Sequence, residues 1–429
     1  MAWLIRDCLR SKLSRGVLRH LLQRDPRTLS VSERTEFAAF FLDKWDEEVI
    51  PSYKPESFYS AEIGETLNGM YELIAKVGFG TTSTVWLASD IRRRWWQQHY
   101  VALKVLVNDR STEPATREVA LSKRIAEGNP LHPGRQFVRT PIETFELQGP
   151  NGVHPVLAYE FMREPLYILR ERFIGHKFEP DLVKTTLGFV LAGLDYLHNE
   201  CHVIHGDLTT GNILVPMESP KILRHFAYNA IFATPGKVRP DDGVTYLSQP
   251  DAGELQPHAF VGPPKIIDFG ASVLMDGDHK VLQTQLTRYR APELLLGTPI
   301  GCGVDIWNLG LITWELLTGH ALLEERDPPK GVRTEQMQLA EIIGLLGPPP
   351  ESLRSRGSKS HMFFNPKGRF KFPDLVPQSQ SLAKRIDSLE INDKALLFNF
   401  LKSMLAWEPA ERKSTQELLN HQWLVQESV

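Results

Sequence analysis

The stretch VIHGDLTTGNILV, Val203 to Val215, gathers His205, Asp207 and Asn212 within a few positions, with the small residues Gly206 and Thr209 among them. A loop aspartate beside a hydroxyl can orient it and accept its proton, and an asparagine amide oxygen can ligate Mg2+. Downstream, KIIDFG places Asp268 straight after an apolar strand, where a carboxylate can hold a hard cation with few protein ligands. An Asx turn at a strand end accounts for the same residue when it is read alone. Upstream, KVGFGTTSTVW sets Gly78 and Gly80 in a tight turn whose backbone N–H groups can approach phosphate oxygens. Ser83 stands where a third glycine would complete GxGxxG, and a two-glycine turn is most often only a turn. VALK ends on Lys104, whose stem suits an alternating strand while its ammonium reaches a polyphosphate. Glu118 follows on a helical stretch, placed either to hold Lys104 by an ion pair or to face solvent beside Ser122.

These groups need elements to position them. Tyr71–Val77, Thr84–Asp90 and Tyr100–Asn108 are short β-branched and aromatic runs between turn residues, the pattern of an antiparallel sheet. EPATREVALSKRIAEG then takes helical spacing, with Pro114 in its first turn and Gly128 just past its end. After HPVLAYEFM, a strand ending at Met162, the pattern becomes helical over Asp181–Asn199, Asp305–Thr318, Glu335–Leu346, Asp393–Leu405 and Thr415–His421. The expected fold class is α+β: a small antiparallel β-sheet lobe with one helix, and a larger, mainly helical lobe. Boundaries are expected at 1–69 for a basic helix and extended arm, 70–162 for the small lobe and 163–425 for the large one. The proline-punctuated stretch 216–264 has no sustained period and reads as an insertion or long loop.

The 429-residue chain is 42% apolar, enough for a large core, and its net charge of −3 argues neither for a nucleic-acid partner nor for an acidic tail. Cys8, Cys201 and Cys302 lie far apart, with no CxxC pair, so no disulfide or metal framework is expected. No apolar run reaches the roughly 18 residues of a membrane span. Residues 1–27 are rich in arginine, with Ile5, Leu9, Leu13, Val17 and Leu21 at four-residue spacing. That is a basic amphipathic helix, suited to a mitochondrial presequence or to a partner-docking role.

The order of the chemical pieces says more than any one of them: glycine turn, strand lysine, helix glutamate, HxDxxxxN, DFG, then RAPE at Arg290–Glu293. In that order the chain resembles the eukaryotic protein kinase superfamily from about Met70 to Trp423, including VDIWNLGLITWELLTG and PAERKST. The resemblance implies a two-lobed kinase fold that uses ATP and Mg2+. It implies catalytic roles for Asp207, Lys104, Glu118, Asn212 and Asp268, with Asn212 and Asp268 on the metals. The implied nucleotide site comprises Val77, Gly78, Phe79, Gly80, Val85, Ala102, Lys104 and Leu214, with adenine against the connector Glu160–Met162 and Tyr159 behind it. Glu293 would pair with Arg412, and Asp305 would tether the catalytic loop through backbone N–H groups.

IPSYKPESFYSAEIGE, TTSTVWLASD, YRAPE, LAEIIGLLGPPP and the long insertion narrow the resemblance to kinases of serine/arginine-rich splicing factors, most like their fungal-type relatives. This implies Ser/Thr acceptors in arginine-rich protein segments, a role in mRNA splicing, residence in cytoplasm and nucleus, and no direct nucleic-acid contact. Glu324, Glu325 and Asp327 could attract such cationic peptides, or form a solvated loop.

Three positions depart from the kinase pattern. Gly206 replaces the arginine that clamps a phosphorylated activation loop, which implies a loop that folds without phosphate. Thr209 replaces the lysine that neutralises the phosphoryl group in flight; losing one electrostatic stabiliser costs on the order of 10² to 10³ in rate. Thr287 is one residue closer to Ala291 than the family's threonine, so the usual catalytic-loop bond is not assigned to it. The rival reading is a pseudokinase that binds nucleotide or a partner without transfer, and a small-molecule phosphotransferase stands further off.

Overall fold

The computed structural model describes residues 45–50, 53–93, 99–108, 113–234, 236–239, 243–249, 262–277, 287–323, 334–377, 381–389, 391 and 393–426. The basic amphipathic stretch 1–27 and the acidic set Glu324, Glu325 and Asp327 lie outside them. The described residues fall into two compact units. One holds those up to 108, Glu143–Phe161 and those within Ser219–Glu254; the other holds Glu113–Ile142, Met162–Glu218 and those beyond 261.

The first unit is built on a six-stranded antiparallel sheet of β1 (Thr66–Leu67), β2 (Tyr71–Gly80), β3 (Ser83–Asp90), β4 (Tyr100–Leu106), β5 (Glu143–Gly149) and β6 (Gly152–Glu160). Its strand order is β1-β2-β3-β4-β6-β5. Successive side chains alternate across a strand, and directly paired residues share a face. Trp86, Ala88, Val101, Leu103, Val105, Val156 and Ala158 take one face and form a core with Tyr71 and Leu73. Ala61 from the arm belongs to that core, and Tyr59, Ile63 and Tyr246 pack on it. The arm and part of the insertion therefore cover one face of the sheet.

The insertion is more ordered than its sequence suggests. It forms a helix, Pro220–Ala233, and a hairpin of Gly236–Val238 with Val244–Tyr246. The helix start was legible: the Ser219 hydroxyl accepts from the Ile222 N–H at 3.4 Å and Pro220 sits in the first turn. Strand β5 lies outside the expected strands, although its burial alternates from Glu146 to Gly149 and Phe145 and Leu147 alternate with polar residues. β2 runs past the expected Val77 to Gly80, since Gly78 pairs with Val85 and Gly80 with Ser83. Gly78 and Gly80 thus lie on the ladder, and Thr81 and Thr82 make the reversal.

The second unit is mainly helical, with Glu113–Glu127, Pro180–Asp195, Gly303–Thr318, Glu335–Leu346 and Lys394–Lys402 among its helices. Gly303–Thr318 is buried on every side from Val304 to Leu317, as expected of a helix apolar all round. Trp307, Leu311, Phe400 and Trp423 belong to one large core that also takes in Leu208, Ile213 and Phe269. No helix among the described residues is long and apolar enough to cross a membrane.

Candidate active site

Two short ladders in the second unit bring the chemical residues together. The loop His205–Asn212 joins strands Val203–Ile204 and Ile213–Pro216; Asp268, Phe269 and Gly270 lie between Lys265–Ile266 and Val273–Leu274. Val273 pairs with Ile204 and Ile266 with Ile213, so the two loops are cross-paired at both ends. The Ile267 N–H adds a bond to the Asn212 carbonyl at 3.0 Å.

Within the loop, Asn212 Nδ2 donates to the Asp207 carbonyl at 2.7 Å and lies 3.3 Å from Asp207 Oδ2. That fixes which end of the amide is donor and leaves Asn212 Oδ1 as the oxygen available to a cation. Asp268 is exposed at a left-handed φ of 67°, a conformation rare for residues with side chains, and its Oδ1 accepts from the Gly270 N–H at 3.2 Å. An amide oxygen and an exposed carboxylate are the hard donors that Mg2+ takes alongside phosphate and water. Among the described residues there is no group of three or more His, Cys, Asp or Glu that could hold a metal ion.

Glu118, buried on the helix Glu113–Glu127, reaches the same corner: a methyl group added at Gly270 would lie 3.2 Å from both Glu118 Oε2 and Asp268 Oδ1. The adjacent Arg117 Nη2 donates to the Gly270 carbonyl at 3.3 Å. Close approach, not unusual φ, explains glycine at position 270.

The loop is held from below by a buried acid. Asp305 Oδ2 accepts from the His205 N–H and Oδ1 from the Gly206 N–H, each at 2.8 Å, the tether expected from the sequence. His198 Nε2 lies 2.8 Å from Asp305 Oδ2. Burial alone would lower the His198 pKa, but its bond to Asp305 raises it to about 9. Burial would raise the Asp305 carboxyl in turn, yet His198 holds it below the ordinary carboxylate range. His205 spans the two loops: its Nε2 is 2.9 Å from the Ile267 carbonyl, its ring packs edge-on to Phe269, and its carbonyl accepts from Ser272 Oγ at 2.8 Å.

Both departures in the loop have a local cause. Gly206 has φ 79°, a conformation that residues with side chains adopt only under strain. Thr209 is buried, and its hydroxyl oxygen accepts from the Gly211 N–H at 3.1 Å, so it closes the turn. Beyond it, Thr210 Oγ1 donates to Glu315 Oε1 at 3.3 Å; Tyr289 donates to the other Glu315 oxygen, and Arg170 Nη1 sits 3.3 Å from Oε1. Burial and Glu315 push the Tyr289 hydroxyl pKa well up. Asn308 Nδ2 fixes the Tyr289 carbonyl at 2.7 Å. The sequence pointed to Tyr289 only through YRAPE, while His198, Glu315 and Arg170 gave no signal of their own.

Glu293 and Arg412 form the expected bidentate pair, at 2.7 and 2.8 Å, fully buried. Thr287 belongs to the 3-10 turn Thr287–Tyr289 and its side chain is outside the described set. Leu214 pairs with Pro165 and Lys265, and Met162 opens the strand Met162–Pro165.

In the first unit, register lines up the remaining residues. Gly78 pairs with Val85, Val85 with Lys104, and Lys104 with Leu157; Ala102 pairs with Tyr159. Val85, Ala102 and Lys104 thus share the sheet face opposite Trp86 and Leu103. Lys104 is buried there. Val77 and Phe79 flank Gly78 on β2, and Glu160 ends β6 exposed to solvent.

A glycine strand followed by a strand lysine, a loop carrying Asp207 and Asn212, an aspartate at a cross-paired DFG turn and a buried acid under the loop together describe a phosphotransferase. The protein kinase domain pattern matches residues 71–424, and the chain belongs to that family. A solved kinase domain shares the fold, with a TM-score of 0.64 at 23% identity over 86% of this chain and all of that one. The chain is a serine/threonine protein kinase: it is 34% identical over 95% of its length, and 98% of the relative's, to a serine/threonine protein kinase of Aspergillus fumigatus. It is 30% identical to serine/threonine-protein kinase SRPK of Physarum polycephalum, over 88% of this chain and 91% of that one. Against SRSF protein kinase 3 of Mus musculus the identity is 24% over 89% and 91%. The chain is therefore similar to the serine/arginine-rich splicing factor kinases.

Proposed function

We propose that this kinase phosphorylates Ser or Thr hydroxyls of arginine-rich protein segments, with a role in mRNA splicing and residence in cytoplasm and nucleus. The observation that carries the chemistry is the fixed pair Asp207 and Asn212 on a loop tethered by Asp305. Asp207 orients the acceptor hydroxyl and takes its proton as that oxygen bonds to the γ-phosphorus of ATP; the β,γ-bridging P–O bond breaks and ADP leaves. Asn212 Oδ1 and Asp268 would hold Mg2+, which would supply positive charge against the phosphates. Gly78, Phe79 and Gly80, flanked by Val77 and Val85, present backbone to the phosphates, and Lys104 contacts the α and β groups with Glu118 supporting it. Ala102, Leu214 and the connector Glu160–Met162 receive adenine.

The substrate class rests on similarity to kinases whose names carry splicing factors, so it has its own test. In a positional peptide library, residues next to the phosphorylated serine are expected to be enriched in arginine. Enrichment of acidic residues or of proline there would contradict the substrate reading and leave the catalytic one standing.

A further inference from the structure

Lys76 is a buried lysine that phosphoryl transfer, as described above, does not use. It stands on β2 two residues before Gly78, only 1% exposed, and its ammonium is held by two separate segments. Glu47 and Asp46 of the arm supply carboxylates, Glu47 in direct contact and Asp46 at 3.2 Å. The insertion hairpin supplies the Tyr246 carbonyl at 3.1 Å. Just beyond the hairpin, the Gln249 N–H donates to the carbonyl of Lys76 itself at 2.8 Å. The second carboxylate is not surplus, because Asp46 Oδ2 accepts from the Ser248 N–H at 2.8 Å and from the Ser248 hydroxyl. The ammonium also lies 5.6 Å from the ring centre of Phe79, between the two glycines.

A buried ammonium costs several kcal/mol unless paired, so this arrangement fixes the position of whatever carries it. Here the carrier is a strand with register shifts between Leu73 and Ala75 and between Lys76 and Gly78, and at the second of these the ladder is interrupted just before the glycines. We propose that Lys76 is a positioning residue: arm and insertion clasp it and thereby hold the Gly78–Gly80 backbone in the geometry that receives the nucleotide phosphates. The proposal rests on the phosphate role of that segment given above.

The test is steady-state kinetics on the full chain with Lys76→Met, Glu47→Gln, both together, and Ser248→Glu, which sets a negative charge against Asp46. The apparent KM for ATP is expected to rise about tenfold in Lys76→Met and in Ser248→Glu, with kcat at saturating ATP and peptide changed less than about threefold. The double variant is expected to be little worse than Lys76→Met alone, because the two side chains act as one unit. A merely structural contact would lower the active fraction, and so kcat, and leave KM unchanged. A folded Lys76→Met protein with wild-type KM overturns the proposal; should that variant not fold, a wild-type KM in Glu47→Gln and Ser248→Glu overturns it. Equilibrium binding of a fluorescent ATP analogue separates the two readings: if the wild type transfers no phosphate, the proposed function fails, while the ratio of nucleotide affinities still reports on Lys76.

Discussion

Gly206 and Thr209 flank Asp207, and the structure gives each a reason that differs from its absent cation. At φ 79°, Gly206 keeps its N–H on Asp305. Gly206→Arg is therefore expected to restore no regulation and to cost about 1 kcal/mol or more in stability, measured by urea denaturation. An unchanged midpoint would show that the position tolerates a side chain. Thr209 lacks the charge that a lysine would bring, but its hydroxyl closes the turn onto Gly211. Thr209→Lys exchanges one for the other, and kcat is expected to rise on the order of tenfold as charge stabilisation is gained and the turn bond is lost. No gain would mean that another group already neutralises the phosphoryl oxygens. In the sequence both positions read as replaced cations, because a motif records side chains and not backbone angles.

At the scale of elements, buried charge decides how the loops are held. His198 carries its proton up to about pH 9 in the folded protein, against an ordinary value of 6.5. Its contribution is complete below about pH 6.5 and is lost as pH rises through about 9, amounting to about 3 kcal/mol at roughly 1.36 kcal/mol per pKa unit. Wild type should lose stability across that window and His198→Gln should not; parallel pH profiles in denaturation experiments would contradict the coupling to Asp305. The Arg412–Glu293 pair is buried on both sides, so Arg412→Met leaves an unpaired carboxylate and should cost about 3–5 kcal/mol. A smaller loss on replacing both partners together would follow from the same argument.

These elements also mark what a sequence can and cannot tell. The helix Glu335–Leu346 has the bounds its spacing implied, because Thr334 caps it and Gly347 ends it. Spacing singled out Asp207, Asn212 and Asp268, and motif order anticipated the tether of Asp305 and the pairing of Arg412 with Glu293. His198, Glu315 and Arg170 gave no such signal, since each pairs with a residue more than 100 positions away and no local pattern records such a pairing. The helix Pro220–Ala233 differs from the loop its sequence suggests, because the surrounding prolines mask the start that Ser219 and Pro220 signal.

At the scale of the whole molecule, the chain is interleaved rather than cut into successive pieces. The insertion Ser219–Glu254 returns to the first unit, and the helix Glu113–Glu127 belongs to the second. The acidic arm residues and the insertion hairpin meet on β2, so a stretch that looks dispensable in sequence joins the strand carrying Gly78. The central claim is that this assembly transfers phosphate through Asp207, despite threonine at 209. It is tested most directly by transfer from labelled Mg-ATP to an arginine/serine-rich peptide, comparing wild type with Asp207→Asn and Lys104→Met. The account expects transfer by the wild type, with both variants lower by at least about 10²; equal background from all three, with nucleotide still bound, would contradict it.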